Sequence, residues 1–143
     1  MYQITEMLVA VQKCGRVYNR MMTESARNSG ITKPELDVLL FLFNNPQYDK
    51  ASDVSEMRFL AKSYVSKAVD LLQKRGYLKV QEDTQDRRIM RLKVTECALP
   101  VIQQGKETQK RFAEILYSGM SDKDMDHMHR IYSKMMENLD QYM

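Results

Sequence analysis

The sequence has no tryptophan and, in 143 residues, only five glycines, three prolines and two cysteines. Because glycine and proline interrupt regular structure, their scarcity predicts long helical segments rather than many short strands. Cys14 and Cys97 lie far apart in the sequence and do not have the spacing of a metal-binding pair. Nothing therefore requires a disulfide framework or an oxidising compartment, and we expect no metal and no other cofactor.

Long apolar runs are also missing. No stretch approaches the roughly 18 apolar residues of a membrane-spanning helix, so we expect no membrane association. Residues 1–6 contain no basic region followed by an apolar run, which gives no indication of a secretory signal. The sequence also has no glycine-rich phosphate loop and no pairing of a nucleophile with a base. We therefore do not predict an enzyme, and the expected location is the cytoplasm.

Charge is low overall but is concentrated in the middle of the chain. The formal net charge is +3 at pH 7. Between Arg58 and Lys93, ten lysines and arginines stand against four acidic residues, and the rest of the chain is mildly acidic. This distribution predicts a central module that binds a polyanion, flanked by helices with another role.

Apolar residues at helical spacing predict two helices before the basic centre. The first covers about Gln3 to Asn28 and ends before Gly30, as helices commonly do at glycine. The second begins at Thr32, which stands three residues before Glu35, the spacing of a capping box. Because this second helix is apolar on nearly all sides, we expect it to be buried.

The next two segments predict a helix-turn-helix. A short helix at about 52–59, with Val54 and Met57 facing inward, is followed by a turn at 60–61 and a helix over 62–75. The outer side of this last helix is polar and basic. Its buried side should consist of Val65, Ala68, Val69 and Leu72.

After Gly76 the apolar period changes from 3.6 residues to 2. Residues 78–82 and 89–94 alternate on either side of a charged stretch at 83–87, which predicts a two-stranded β-hairpin. The tip has no glycine, so we expect a loop longer than two residues. The tip also has no apolar residue to anchor it, and we expect it to be loosely held. The strand residues expected to face the core are Met90, Leu92 and Val94.

Two long helices are predicted after the hairpin. Thr95 should cap the first, in which Pro100 falls late enough to cause a local irregularity, and Ser121 should cap the second. The apolar stripe of the second consists of Met125, Met128, Ile131 or Tyr132, Met135 and Leu139. Stripes of this kind on the terminal helices need a partner, which favours a two-fold symmetric homodimer.

The middle of the chain resembles the multiple-antibiotic-resistance regulator (MarR) family. Residues 83–95, DTQDRRIMRLKVT, are similar to the wing of that family, and residues 62–78, KSYVSKAVDLLQKRGYL, are similar to its recognition helix. The flanking helices match in order and length, so the resemblance covers nearly the whole chain. The chain departs from the family pattern at four positions, which are Phe59 and Ala98 in place of glycine, Ala61 in place of a capping serine or threonine, and Gln85 in place of arginine.

The resemblance implies a mainly α fold, a winged helix-turn-helix with a two-stranded β wing between long N- and C-terminal dimerisation helices. Residues 31–95 would form the DNA-binding region, and residues 1–30 and 96–143 the dimerisation region. The implied function is sequence-specific transcription regulation by a homodimeric repressor that binds a near-palindromic operator in double-stranded DNA and is released by a small ligand or another signal. The alternative is an architectural protein that binds nucleic acid without sequence preference.

The predicted DNA contacts on the recognition helix lie on its polar side. Lys62 and Lys67 can reach phosphate or guanine, and Tyr64 a thymine methyl group or the backbone. Ser63 and Ser66 can contact phosphate.

In the wing, Arg87 is expected to enter the minor groove. Arg88 either contacts DNA or pairs with Asp83 or Asp86, and both alternatives stay open at this point. Arg91 completes the predicted DNA-binding set.

Two features of the outer helices have a structural and a functional interpretation. One branch of the family senses peroxide through a cysteine of the first helix, but Cys14 lies on the apolar stripe with Val11 and Tyr18, where a small buried hydrophobe is the simpler interpretation. His127 and His129 stand two residues apart on a helix and so lie on different faces, which argues against a shared metal.

Overall fold

The computed structural model describes residues 3–143, so Met1 and Tyr2, which open the predicted dimerisation region, lie outside the described residues. The described chain has the predicted fold class, mainly α with one two-stranded antiparallel sheet. It divides into two compact units, the first ending at Phe112 and the second running from Ala113 to Met143. The elements are α1 (Ile4–Asn28), α2 (Lys33–Asn44), α3 (Ala51–Met57), α4 (Lys62–Lys74), β1 (Leu78–Glu82), β2 (Met90–Val94), α5 (Leu99–Leu116) and α6 (Asp122–Asp140).

Helix α2 lies at the centre of the first unit. The predicted capping box closes its N-terminus, where the Glu35 backbone N–H donates to Thr32 Oγ1 at 3.4 Å and the Thr32 backbone N–H donates to Glu35 Oε1 at 3.1 Å. All residues from 35 to 42 are buried, because α1, α3, α4 and β2 contact the helix from different sides. The expectation of a helix buried on nearly all sides is confirmed.

Helix α5 approaches α2 closely at Gly105. A Cβ atom at this position would lie 2.9 Å from Leu36 Cδ1 and 3.2 Å from both Cδ atoms of Leu40. Glycine thus lets the backbone of α5 pack against the side chains of Leu36 and Leu40, and a Cβ atom here would force the ends of these side chains to shift.

The helix-turn-helix has the predicted order of elements, but the orientation predicted for one side chain is wrong. Helix α4 buries Val65, Ala68, Val69 and Leu72, as expected. In α3, Val54 is fully buried, but Met57 is 46% exposed and does not face inward. Met57 is the last residue of a helix of only two turns, whose end extends past the core that Val54 occupies.

Strand β1 has the predicted limits, and β2 begins at Met90, one residue after the predicted start. Leu78 lies opposite Val94, and Glu82 lies opposite Met90. Leu92 is buried, and Val94 is partly buried against the core. Met90, expected to face the core, is 44% exposed. It is paired with Glu82 beside the tip, so the side chain lies beyond the reach of the core.

The start of α5 differs from the prediction. Thr95 does not cap a helix with its side chain, since its hydroxyl donates to the Gly76 carbonyl oxygen at 2.6 Å and its backbone N–H to the Tyr77 carbonyl oxygen at 3.1 Å. Thr95 therefore extends the hairpin pairing. A 3-10 turn at Glu96–Ala98 follows, and it is the irregularity that Pro100 predicted. The capping of the last helix by Ser121 is confirmed.

Apolar residues of the outer helices are uncovered in the single chain. In α1, Ile4, Leu8 and Val11 are each more than half exposed. In the second unit, α6 has no buried residue, and Ile131 is 53% exposed. None of the helices in residues 3–143 has both the length and the apolar character to cross a bilayer.

Candidate DNA interface

The exposed side of α4 is basic and rich in hydroxyl groups. Lys62, Ser63, Ser66 and Lys67 are all exposed. Neither lysine forms an ion pair within residues 3–143, although acidic residues of this unit pair with other cations. Helical spacing brings the four side chains to one surface of a helix that is 13 residues long. Such a surface can donate hydrogen bonds to phosphate oxygens and to base edges.

The N-terminus of α4 has no side-chain cap. Ala61 occupies the capping position, and no side chain accepts from the first-turn N–H groups. These backbone donors are therefore left for water or for an external acceptor such as phosphate. Because alanine stands at this position in place of a capping serine or threonine, α4 lacks one capping hydrogen bond, at a cost of about 1 kcal/mol.

Phe59 lies in the turn between α3 and α4 and adopts a left-handed backbone conformation, with φ of +53°. Glycine takes this conformation without strain, whereas a side chain such as that of Phe59 makes it less favourable. The ring itself is 77% exposed and does not contribute to the core.

Tyr64 is the one predicted contact residue of α4 that is half-buried. Its hydroxyl donates to Asp37 Oδ2 at 3.0 Å. Burial and the neighbouring Asp37 carboxylate raise the pKa of Tyr64 well above its usual range, so the hydroxyl keeps its proton. Of the contacts predicted for Tyr64, only those made by the ring remain available for DNA.

Two buried carboxylates of α2 connect this helix to both ends of α4. Asp37 bonds to Tyr64 in the first turn of α4. Glu35 is fully buried and accepts from Nε of Arg75, the residue after α4, at 2.6 Å. Helix α4 is therefore held to α2 by directional contacts at each end, in addition to its apolar side.

The wing tip is organised by Asp83. Its Oδ2 atom accepts from the backbone N–H groups of Gln85 and Asp86, at 3.1 and 3.0 Å. These backbone hydrogen bonds, first that of Asp86, hold the pKa of the Asp83 carboxyl below its usual range. The Asp83 backbone N–H in turn donates to the Ile89 carbonyl oxygen at 2.8 Å. The tip thus has more internal order than the sequence predicts.

The three wing arginines have different surroundings. Arg87 is exposed and forms no ion pair with any residue from 3 to 143. Arg88 is also exposed but pairs with Asp86 at 3.0 Å, which is one of the two alternatives the sequence left open. An exposed pair of this kind is weak, so Arg88 can exchange Asp86 for a phosphate.

Arg91 holds the wing to the rest of the first unit. Its guanidinium donates to Asp49 at 2.7 Å and to Asp83 at 3.2 Å. Asp49 belongs to the loop between α2 and α3, and its carbonyl oxygen accepts from the Leu92 backbone N–H at 2.7 Å. With both carboxylates as partners, Arg91 acts within the structure to fix the wing.

Sequence reasoning missed Glu35, Asp37 and Asp49 as parts of the site. A signal for the first two was present, since both stand in a helix that is apolar on nearly all sides and must therefore be buried with partners. Their distant partners could not be identified, because Tyr64 is 27 positions from Asp37 and Arg75 is 40 positions from Glu35.

Outside α4 and the wing, the described residues form a small cleft and include two free thiols. A small cleft of about 80 Å³ is lined by Tyr18, Asp37, Asn44, Arg58, Gln109 and neighbouring residues. No group of three or more histidine, cysteine or acidic side chains in residues 3–143 has metal-binding geometry. Cys14 is half-buried, Cys97 is exposed, and both are free thiols.

Comparison with known proteins identifies relatives of this arrangement. Residues 29–89 match the model of the MarR family. The chain is similar to the structure of a MarR transcriptional regulator from Methanosarcina mazei Go1, with a TM-score of 0.82 and 22% identity over 97% of this chain and 99% of the other.

Two further solved structures have the same fold. For a MarR protein from Peptoclostridium difficile the TM-score is 0.82, with 24% identity over 95% of this chain and 88% of that one. For a MarR family protein from Bacillus stearothermophilus the TM-score is 0.74, with 19% identity over 96% of this chain and 95% of that one. No curated protein gives a significant match.

Proposed function

Because the winged helix-turn-helix at residues 29–89 is that of the MarR family of transcription regulators, we propose that this protein is a sequence-specific DNA-binding repressor that works as a homodimer in the cytoplasm. The observation that carries the proposal is the exposed side of α4, where two lysines and two serines have no acidic partner within the described chain. An α-helix fits the major groove, and a free basic surface on such a helix favours contact with its bases and phosphates.

Each contact residue has a distinct proposed role. Lys62 and Lys67 bind guanine or phosphate, and Ser63 and Ser66 bind phosphate. The Tyr64 ring lies against a thymine methyl group or the backbone. These roles follow from the donors that each side chain presents on the exposed side of α4.

The wing supplies a second contact. Arg87 enters the minor groove, since it is exposed and has no competing carboxylate among the described residues, and Arg88 supports it at a phosphate. Arg91 contributes by fixing the wing, given its bonds to Asp49 and Asp83.

The dimer is proposed from the uncovered apolar stripes. Ile4, Leu8 and Val11 of α1 are each more than half exposed, and so, separately, are Ile131, Tyr132 and Leu139 of α6. Exposed apolar stripes of this kind are typical of interfaces between chains. A two-fold axis would cover them and present two copies of α4 to a near-palindromic operator.

We propose that the protein is released from DNA when a small ligand binds or when another signal acts on it. Ligand pockets usually occupy about 300–1,000 Å³, and the described cleft near Tyr18 is about 80 Å³. This cleft is too small for a ligand of ordinary size, whereas two open clefts along α6, of about 460 and 540 Å³, are large enough.

The alternative is an architectural protein that binds nucleic acid without sequence preference. The two are separated by measuring the affinity for a duplex recovered by genomic binding-site selection and for a random duplex of equal length, at one salt concentration. A specific regulator binds the selected duplex at least about 10³-fold more tightly. Equal affinity would support the architectural role and refute the proposal.

A further inference from the structure

The carboxylate of Asp37 lies where three segments of the first unit meet. Its side chain is only 1% exposed. The Oδ2 atom accepts from Lys33 Nζ at 2.7 Å and from Tyr64 OH at 3.0 Å, and Oδ1 lies 3.8 Å from an Arg58 nitrogen. Lys33 belongs to α2, Arg58 follows α3, and Tyr64 is in the first turn of α4.

Burial of this charge costs stability. A carboxylate removed from water must recover its lost hydration from its partners, and an apolar side chain of similar volume would often be as stable or more stable at such a position. What a hydrogen-bonded carboxylate provides and apolar packing does not is direction, because a donor is accepted only over a narrow range of angles and distances. The contact therefore fixes one position of α4 against α2.

The part of α4 that is fixed in this way is the part that carries the proposed contacts. Tyr64 lies between Ser63 and Ser66, beside Lys62 and Lys67. Recognition of base edges depends on placing side chains to within about 0.5 Å. A rotation of α4 that is too small to expose its apolar side still displaces these side chains relative to the bases.

We propose that Asp37 is a positioning residue for DNA recognition, which sets the orientation of α4 through the hydroxyl of Tyr64 and does not itself touch DNA. The inference rests on the proposed DNA binding and adds to it a residue outside the exposed side of α4. In this proposal the hydroxyl of Tyr64 bonds to Asp37 and not to DNA, so that the principal contribution of Tyr64 to specificity is indirect.

The test uses the full-length chain, a duplex recovered by binding-site selection and a random duplex of the same length. Asp37→Asn and Tyr64→Phe change the contact with almost no change in volume. Tyr48→Phe is the matched control, since Tyr48 is 38% exposed and its hydroxyl has no hydrogen bond to any described residue. Denaturant titration confirms that each variant is folded at the temperature of the assay.

Electrostatics and positioning predict opposite results for Asp37→Asn. The substitution removes a negative charge, so electrostatic attraction alone would leave DNA binding unchanged or make it tighter. Positioning predicts that Asp37→Asn and Tyr64→Phe each weaken binding to the selected duplex by about tenfold, the size expected for one hydrogen bond to a charged group. Binding of Asp37→Asn to the random duplex does not weaken, because it depends on phosphate contacts, and the salt dependence of Tyr64→Phe stays at the wild-type value, because no charge is changed.

The double variant distinguishes one shared contact from two independent effects. If both residues act through the same hydrogen bond, Asp37→Asn combined with Tyr64→Phe loses no more affinity than the more damaging single variant. Wild-type or tighter binding by folded Asp37→Asn, or losses that multiply in the double variant, would overturn the inference. A wild-type chain that does not distinguish the selected from the random duplex would instead refute the proposed function itself.

Discussion

At the scale of single residues, the clearest prediction concerns the contribution of Lys62 and Lys67 to DNA binding. Both are exposed and without an acidic partner among the described residues, so their loss should leave the fold intact. We expect Lys62→Ala and Lys67→Ala each to weaken operator binding by about 1–3 kcal/mol if they contact bases. Lys110→Ala, on the exposed side of α5, removes the same charge and serves as the control.

Binding titrations together with circular dichroism check this expectation. If both lysine variants bind the operator as tightly as Lys110→Ala, the recognition surface does not lie on α4.

Arg87 makes a different contribution, which is electrostatic and depends on the width of the groove. Arg87→Ala should lower affinity and reduce the slope of log K against log salt by about one unit, since one phosphate-neutralising cation is lost. The loss should be larger on sites with A·T-rich flanks, where the minor groove is narrow. Titrations at several salt concentrations on two flanking sequences, with Arg111→Ala as control, measure both effects. An unchanged slope and affinity would exclude a DNA contact by the wing.

The roles of individual residues were only partly predictable. Repeating apolar positions identified the buried side of α4, because that signal lies within one helix. The hydrogen bonds that Tyr64 and Arg91 form within the protein could not be predicted in this way. Their partners Asp37 and Asp49 are 27 and 42 positions distant.

At the scale of elements, the wing tip depends on an ionised carboxylate. Asp83 accepts two backbone hydrogen bonds, and its pKa is lowered on folding. A lowered pKa means that this contribution to tip order is fully present above the usual aspartate pKa of about 4, and that it is lost as the pH falls through the folded value. The amide resonance of Gln85, followed by NMR from neutral to acid pH, should report this loss.

The matched variant Asp83→Asn should remove the pH dependence of that resonance. A Gln85 resonance that titrates equally in wild type and Asp83→Asn would show that another group orders the tip.

Element boundaries were the most predictable part of the fold. The strand limits at 78–82 and the capping box of Thr32 with Glu35 arise from neighbouring residues, so the sequence contains the whole signal. Thr95 was assigned to a cap because the sequence there resembles a helix start. Its hydroxyl instead bonds to Gly76, 19 positions away, and a local pattern does not contain that contact.

At the scale of the whole molecule, the proposed dimer follows from the apolar residues that the single chain leaves exposed on α1 and on α6. We expect sedimentation equilibrium at micromolar concentration to give twice the mass of the 16.8 kDa chain. Ile131→Glu on α6 should shift the equilibrium toward monomer, because a charge would be buried in the apolar contact. The exposed His129→Glu on the same helix is the control. A wild-type protein that is monomeric and still binds the operator tightly would contradict the proposed dimer.

The central claim is that two copies of α4 recognise a near-palindromic DNA site. Hydroxyl-radical footprinting of the wild-type protein on the selected duplex tests it most directly, because it shows which nucleotides are protected. We expect two protected segments related by two-fold symmetry, with centres about 10 base pairs or a multiple of one helical turn apart. A single unsymmetrical segment, or uniform protection without a defined position, would contradict it.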